Sequence, residues 1–334
     1  MKLGVAGTGK IVTEALEVLR KVEEIRCTAI FARPHSREKG AALAERHGIP
    51  EVYTDYEEML RRADIDTVYI GLVNSAHFAF AKTALLHLKN VILEKPFTVT
   101  YEEARELAEL SKEKGCFLFE AITVIHNDLL ERMRESLPKL GRIRMALANF
   151  SQYSSRYDRY LEGFVDPSFA PECYGGALRD LNVYNLHYMA GMFGAPLAVR
   201  YFPNRGFNGI DTSGTMVLSY DGFSAVCTGA KDSDSPCFVS VQGEKGYMRL
   251  EGKPNAPTGL TVVTVEEGGK PKPDASGAMA RPTVTEVFAP KVPEHRMLRE
   301  FRDFARIADT EDREAAERYL EETLTVMRIL GTQT

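Results

Sequence analysis

The sequence predicts an α/β chain of two domains, a doubly wound parallel sheet first and then an α+β domain on a mostly antiparallel sheet. Three observations predict it. At 334 residues with 44% hydrophobic content, the chain exceeds one ordinary domain and can bury a sizeable core. Its first third alternates short β-branched runs with amphipathic stretches, in lengths that suit βα units better than a meander. Around Ala121 that rhythm stops, which divides the chain into 1–121 and 122–334.

Taken in order, strands are expected at Lys2 to Ala6, Arg26 to Ala32, Thr67 to Gly71, Asn90 to Leu93 and Cys116 to Phe119. Helices fill the gaps at Ile11 to Val22, Arg37 to His47, Ala76 to Leu88 and Tyr101 to Lys114, the last capped by Thr98 or Thr100 ahead of Glu102 and Glu103. The strand after Asn90 is apolar on both faces, as befits a parallel sheet covered by helices on both sides. Beyond Ala121 come a helix at Asp128 to Leu137 and a long strand from Arg142 to Tyr153. Strands then follow at Val199 to Phe207, Ser213 to Tyr220, Ser224 to Gly229, Cys237 to Gln242, Tyr247 to Glu251 and Leu260 to Glu266, mostly consecutive and hence antiparallel. A helix from Leu178 to Phe193 precedes them. Glu267 to Pro282, dense in Gly, Pro, Lys and Ser, reads as a mobile loop. Two closing helices, Pro293 to Ala308 and Glu314 to Leu330, carry apolar residues at helical spacing and need a surface to cover, with the first domain a candidate.

Composition excludes several classes of function. Lys plus Arg number 42 against 47 Asp plus Glu, a net charge of −5, so nothing favours a nucleic-acid partner. The longest apolar runs fall far short of the roughly 20 residues of a membrane span, and the N-terminus enters a strand at once, without a signal peptide's apolar core or cleavage site. Five cysteines without C-x-x-C or paired spacing form neither a disulfide framework nor a zinc cluster, which points to a reducing cytoplasm and to no metal.

Gly7-Thr-Gly9-Lys10-Ile11-Val12 sits where the first strand meets the first helix. There one glycine permits a tight turn, the next lets a pyrophosphate approach the backbone, and the helix N-terminus offers N–H donors and a positive dipole end. In this βαβ context the run reads as the dinucleotide fingerprint of a Rossmann domain, with Val12 where Gly or Ala is usual, so the helix is expected to ride slightly off the strand. At the end of the second strand no acid is available for a ribose 2′-OH before Glu38; Arg33, Ser36 and Arg37 could instead neutralise a 2′-phosphate, unless they form only a solvated basic loop. NADP(H) is therefore preferred, with NAD(H) possible.

Two further motifs complete the pattern. Glu94-Lys95-Pro96 ends the strand that begins at Asn90, Asn74-Ser75-Ala76-His77 follows the strand before it, and Gly175-Gly176-Ala-Leu-Arg-Asp180-Leu-Asn-Val-Tyr184 opens the central helix of the second domain. With the Gly-rich turn, these resemble the Gfo/Idh/MocA oxidoreductases across essentially the whole chain. That resemblance implies an N-terminal Rossmann domain, a C-terminal domain on an open antiparallel sheet, closing helices, and a homodimer or homotetramer. It also implies Lys95, Asp180 and Tyr184 as catalytic residues, Tyr184 as the proton donor or acceptor, Glu94 and His77 beside the nicotinamide-side ribose, and a cis peptide bond before Pro96.

Chemistry supports these roles. Lys95 leaves the carboxyl end of a parallel strand, where ligands of such sheets bind, and a lysine there favours a developing alkoxide. Asp180 and Tyr184 are spaced i, i+4 on one helical face, with His187 one turn further as a rival donor or a packed histidine. A phenol is a weak base at neutral pH, but a nearby ammonium such as Lys95 would lower its pKa. Asn182 stands where the family commonly has Gly, and either narrows the cleft or adds a hydrogen bond; Arg156, Tyr157 and Arg159 are candidates to dress the substrate pocket or to be plain surface. The reading is a dehydrogenase or reductase for a secondary alcohol or carbonyl of a sugar, polyol or dihydrodiol. Its competitors are a non-catalytic cofactor-binding sensor of the same fold, and an enzyme that keeps its nicotinamide between turnovers.

Overall fold

In the computed structural model, which describes residues 1–273, 275–290 and 294–332, the first 121 residues alternate strand and helix: β1 (Lys2–Ala6), α1 (Lys10–Leu19), β2 (Arg26–Phe31), α2 (Arg37–His47), β3 (Glu51–Tyr53), α3 (Tyr56–Arg62), β4 (Thr67–Ile70), α4 (His77–Leu86), β5 (Asn90–Glu94), α5 (Tyr101–Lys114) and β6 (Leu118–Ala121). The six strands form a parallel sheet in the order β3-β2-β1-β4-β5-β6, which leaves the loops after β1 and β4 side by side at the point where strand order reverses. The sequence reading lacked β3 and α3; β3 is a three-residue edge strand, too short for periodicity to reveal. Helix α3 is capped by Asp55, whose carboxylate accepts from Glu58 N at 3.0 Å. At α5 the cap is Thr100, in a reciprocal capping box with Glu103.

The rest of the chain comprises α6 (Asp128–Ser136), β7 (Ile143–Ser151), α7 (Tyr157–Leu161), a π-helical turn at Leu178–Asn182 running into α8 (Val183–Phe193), β8 (Ala198–Arg205), β9 (Asp211–Tyr220), β10 (Phe223–Ala230), β11 (Phe238–Gly243), β12 (Gly246–Lys253), β13 (Ala256–Val265), β14 (Lys272–Pro273), β15 (Met279–Ala280), β16 (Thr283–Phe288), α9 (Leu298–Asp309) and α10 (Arg313–Gly331). Eight strands form one sheet in the order β16-β13-β12-β11-β7-β10-β9-β8. The sheet is antiparallel except where β10 runs parallel to β7, with Val226 opposite Leu147. Sequence adjacency did not reveal this pair, because β7 inserts between the consecutive strands β10 and β11 and returns to β10 only after a long crossover through α8. The stretch Glu267 to Pro282, expected as plain loop, carries the two-stranded β14–β15 ribbon. Asp274 within it and Pro293, the expected start of a closing helix, lie outside the described residues; that helix begins at Leu298.

The inner face of the large sheet is apolar and buried through Ala146, Met216, Leu218, Cys227, Val239, Val241, Met248 and Val262, in one core with Leu186 and Met189 of α8 and Leu130 and Met133 of α6. Each large apolar side chain so buried stabilises the fold by about 1.5 to 3 kcal/mol. The closing helices turn back onto the parallel sheet. Phe301 and Phe304 of α9 share a core with Leu3, Val5, Tyr69 and Phe119, while Val326, Met327 and Leu330 of α10 join the core that contains α8 and α5. Through them the Rossmann sheet and the central helix are parts of one packed body.

Candidate active site

A cleft of about 600 Å³ opens between the ends of β1, β4 and β5 and the wall formed by residues 166–168 and the start of the central helix. Gly7, Gly9, Lys10 and Ile11 line one end. Gly7 has φ +126°, and a Cβ there would come 2.5 Å from Gly71 O, so only glycine makes this turn. A Cβ on Gly9 would meet nothing within 4 Å; protein packing does not require this glycine, and the open space before it suits a ligand. Helix α1 starts there with no side-chain cap and no acid in its first turn, leaving its N–H groups and dipole for an anion. Val12 is fully buried, and its Cγ2 would lie 2.6 Å from a Cβ on Gly71. The room usually left by a small third residue is therefore supplied by Gly71. Arg33, His35 and Ser36 also line the cleft, whereas Arg37, the first residue of α2, lies outside its lining.

At the other end Lys95, carried by the end of β5 and followed by a cis peptide bond to Pro96, donates to Asp180 Oδ1 at 2.8 Å and to Asp180 O at 3.1 Å. Its Nζ stands 5.3 Å from the centroid of the Tyr184 ring. The second carboxylate oxygen of Asp180 is held by Lys231 at 2.8 Å. Burial alone would raise the Asp180 pKa, but the two ammonium groups outweigh it and hold the carboxyl well below the usual carboxylate range. Burial likewise opposes a charged Lys95, yet Asp180 and Tyr184 keep its pKa above the ordinary lysine value. Tyr184 goes the other way from the sequence expectation. Burial raises its pKa more than Lys95 and Arg296 lower it, so the phenol is above its usual value of 10.0 and neutral at physiological pH.

The motif glycines serve this arrangement. A Cβ on Gly175 would lie 2.6 Å from the Ser168 backbone, and Gly176, at φ +98°, faces the Asp211 carboxylate. Asp211 accepts from Leu178 N at 2.7 Å, which anchors the start of the π turn. Such turns widen a helix locally and recur at functional sites. Asn74 also lines the cleft and donates to Tyr174 O at 2.8 Å, tying the loop after β4 to the segment before the central helix.

Several expected residues lie elsewhere. His187 is fully buried, with Nε2 3.2 Å from Glu120 and Nδ1 3.5 Å from Glu322, away from the cleft. Burial would lower its pKa, but the two carboxylates raise it to about 9. It lies three residues beyond Tyr184, and the helix turns it toward β6 and α10. His77 is also fully buried, its ring nitrogens 3.0 Å from Pro96 O and 3.2 Å from Leu72 O; it braces the turn after Lys95 and does not line the cleft. Glu94, by contrast, lines the cleft, its Oε1 accepting from Tyr69 OH at 2.6 Å and its Oε2 from Lys95 N at 3.3 Å. Asn182 bonds Cys227 O at 3.0 Å and Asn185 at 2.8 Å, fastening the helix to β10 without narrowing the cleft. Of the polar aromatic loop only Arg156 lines the cleft, paired with Asp166 at 3.1 Å; Tyr157 packs against Tyr160 and Phe169.

The sequence reading did not find Lys231, Arg296, Phe150, Gln152, Ser168 or Asn255. Arg296 comes just before α9, lines the cleft and bonds Glu14 of α1 at 2.7 Å. Only long-range packing brings these residues to the site. Lys231 follows a strand end in Ala230-Lys231-Asp232, which reads as a solvated turn.

Comparison with known proteins bears on the same regions. Residues 1–122 match the family model described as an oxidoreductase family with an NAD-binding Rossmann fold. The chain is 33% identical over 251 residues to scyllo-inositol 2-dehydrogenase (NADP(+)) of Bacillus subtilis (strain 168), covering 75% of this chain and 76% of that protein. It is 31% identical over 284 residues to trans-1,2-dihydrobenzene-1,2-diol dehydrogenase of Sus scrofa, covering 83% and 82%. Among solved structures it resembles a 3-ketoreductase from Actinomadura kijaniata, solved with NADP and TDP-benzene, at TM-score 0.79 and 22% identity over 98% of this chain and 95% of that one, a likeness of fold.

Proposed function

The chain belongs to the Gfo/Idh/MocA oxidoreductase family, and from that premise we propose that it is an NADP-preferring dehydrogenase for a ring secondary alcohol of a polyol or dihydrodiol, with Lys95, Asp180 and Tyr184 as its reacting centre. One observation carries the reading: Lys95 and Tyr184 line the end of the cleft opposite the Gly9 helix terminus, with Lys95 fixed by Asp180. The names of the two relatives supply the substrate class.

The residues present fit a dinucleotide. The uncapped α1 terminus and the open space before Gly9 accept a pyrophosphate. Arg33 and Ser36 accept a 2′-phosphate, with no acid to repel it before Glu38. When bound, the cofactor supplies a hydride acceptor or donor at nicotinamide C4. The protein manages the substrate's oxygen. Lys95 spends two of its three N–H donors on Asp180, so the third is free for that oxygen. In reduction the neutral Tyr184 hydroxyl gives its proton to the oxygen while the carbon gains the hydride; in oxidation the substrate hydroxyl returns its proton to the phenolate as the C–H bond breaks. Gln152, Ser168 and Asn255, which also line the cleft, would meet further hydroxyl groups in this reading.

In this reading residues 1–121 hold the cofactor and the remainder supplies the substrate wall and a self-association surface. The outer face of the large sheet supports the latter. Val217 and Val226 sit directly opposite each other there, alternating with the buried Met216, Leu218 and Cys227, while Met145 and Tyr247 are 44% and 46% exposed. A homodimer through this face would cover them. All five cysteines are free, which supports a cytoplasmic setting. Among the described residues no helix is long and apolar enough to cross a membrane.

The test is NADPH formation from NADP+ with scyllo-inositol and trans-1,2-dihydrobenzene-1,2-diol as alcohols. Turnover of either supports the reading. Tight NADPH binding with no turnover of any polyol or dihydrodiol in a wider panel replaces it with the sensor reading, which the intact Lys95, Asp180 and Tyr184 disfavour.

A further inference from the structure

Lys231 stands outside the cleft lining and is only 2% exposed, so solvent does little to support its charge. Burying a lysine is costly unless the ammonium is paired and its donors are satisfied. All three directions are filled. Nζ donates to Ser168 O at 2.7 Å, reaches Asp180 Oδ2 at 2.8 Å, and lies 4.2 Å from the centroid of the Phe169 ring. Ser168 O also accepts from Gly176 N at 3.1 Å, so Lys231 joins the cleft wall to the motif glycines and to Asp180. A neutral residue could have served as a strut at much lower desolvation cost.

We infer that Lys231 sets the charge of the reacting centre: by neutralising Asp180 from behind, it keeps that carboxylate from cancelling the Lys95 charge at the substrate oxygen. This rests on the function proposed above. Lys95 and Asp180 alone would form a neutral pair, and the ammonium's field at the reacting oxygen would be largely cancelled. With Lys231 on the other carboxylate oxygen, two cations face one anion and the trio carries one net positive charge. Arg296 and Arg156 do not supply this charge, since Arg296 is paired with Glu14 and Arg156 with Asp166, while Lys10 and Arg33 lie beside the Gly-rich turn and the end of β2. A net positive centre stabilises the oxyanion that develops in hydride transfer. Lys231 is thus a positioning residue that acts through Asp180 and does not touch substrate.

The same charge should act on the cofactor, because NADP+ carries a positive nicotinamide ring and NADPH a neutral one. A positive trio therefore penalises NADP+ relative to NADPH, and the ratio of their dissociation constants reads the trio's charge without any substrate. Fluorescence titration with NADPH and displacement by NADP+ would be run on the parent, Lys231→Met, Lys231→Arg and Lys95→Met. Lys231→Met should tighten NADP+ relative to NADPH by roughly two- to fivefold, and Lys231→Arg should keep the parent ratio. Should Lys231→Met fail to fold, the double variant Asp180→Asn/Lys231→Met removes both charges of the pair and leaves Lys95 with one positive charge, so the ratio should return to the parent value. An unchanged ratio in Lys231→Met, or a shift in Lys231→Arg equal to that in Lys231→Met, would overturn the inference. If instead Lys95→Met leaves both the ratio and turnover at parent values, the proposed reacting centre itself is wrong.

Discussion

The ammonium of Lys95 lies over the face of the Tyr184 ring, 5.3 Å from its centroid, and not against its hydroxyl. In the proposed reaction the hydroxyl is then left for substrate, and the cation's pull on the phenol is outweighed by burial. Because the Tyr184 pKa lies above 10.0, the group is a proton donor throughout the neutral range. Reduction should be nearly independent of pH between about 6 and 9, while oxidation, which needs the phenolate, should rise with pH over the same interval. Tyr184→Phe should lower kcat by roughly 10²- to 10⁴-fold in both directions with little change in KM. Steady-state profiles in the two directions check this; a kcat for Tyr184→Phe within twofold of the parent would return Tyr184 to the core as a packing aromatic.

Lys95→Met should cost roughly 10²- to 10³-fold in kcat, because it removes the cation that the proposed mechanism puts at the substrate oxygen. NADPH should still bind, since the phosphate end of the cleft is untouched. Isothermal titration alongside single-turnover kinetics separates the two effects.

Arg33→Asp should weaken NADPH by roughly tenfold or more and strengthen NADH, since it replaces a guanidinium on the adenosine side with the acid that would hold a 2′-hydroxyl. Competitive binding of the two cofactors to parent and variant decides the matter. Equal parent affinities would assign the basic loop to solvent.

His187 gives a prediction about stability. Its folded pKa is raised to about 9 from 6.5. The stabilisation it contributes is therefore present in full below pH ~6.5 and lost as pH rises through about 9, on the order of 3 kcal/mol if the group is replaced by a neutral one. Urea unfolding of the parent and His187→Gln should differ markedly at pH 6 and much less at pH 10. Turnover of the folded variant should stay close to the parent, because Glu120 accepts from Phe97 N at 3.1 Å and from Thr323 at 2.8 Å and so keeps its place without the histidine. A pH-independent difference would mean the imidazole is neutral in its pocket.

Replacing Val217 and Val226 together by lysine should convert a dimer to a monomer in sedimentation experiments while leaving the fold intact, since both side chains point away from the core. A parent that is already monomeric at micromolar concentration would remove the basis for an interface on this face.

Local chemistry explains what could be read from the chain. Gly7 and Gly9 are legible from one strand-to-helix turn, Lys95, Asp180 and Tyr184 from three short motifs that resemble a family's, and the ends of α2 and α5 from the glycines that close both helices and the Thr100 cap that opens the second. Helix spacing misleads at His187. A three-residue step from Tyr184 keeps two residues on neighbouring faces, but the cleft spans only the first turns of the helix, and Glu120 and Glu322 wait on the adjoining side. Lys231 and Arg296 were illegible for a different reason. Each takes its meaning from a partner far away in sequence, Asp180 for one and Glu14 for the other. The parallel β7–β10 pair has the same origin, a contact made only after a long crossover has closed.

The interlock of Val12 with Gly71 ties the nucleotide loop to the residue that follows β4. The bulk of Val12 on the helix fits against the missing side chain of Gly71 just after β4, so Gly71 is not free to change alone: a methyl there would press into Val12 at 2.6 Å. A loop of residues 7–12 grafted from a protein with a small third residue would leave a void beside Gly71, and Gly71→Ala alone would push the helix outward. Made together, Val12→Ala and Gly71→Ala would restore contact. In any set of related sequences these two positions should trade volume with each other, and that paired exchange, more than the glycine pattern itself, marks which loops are interchangeable with this one.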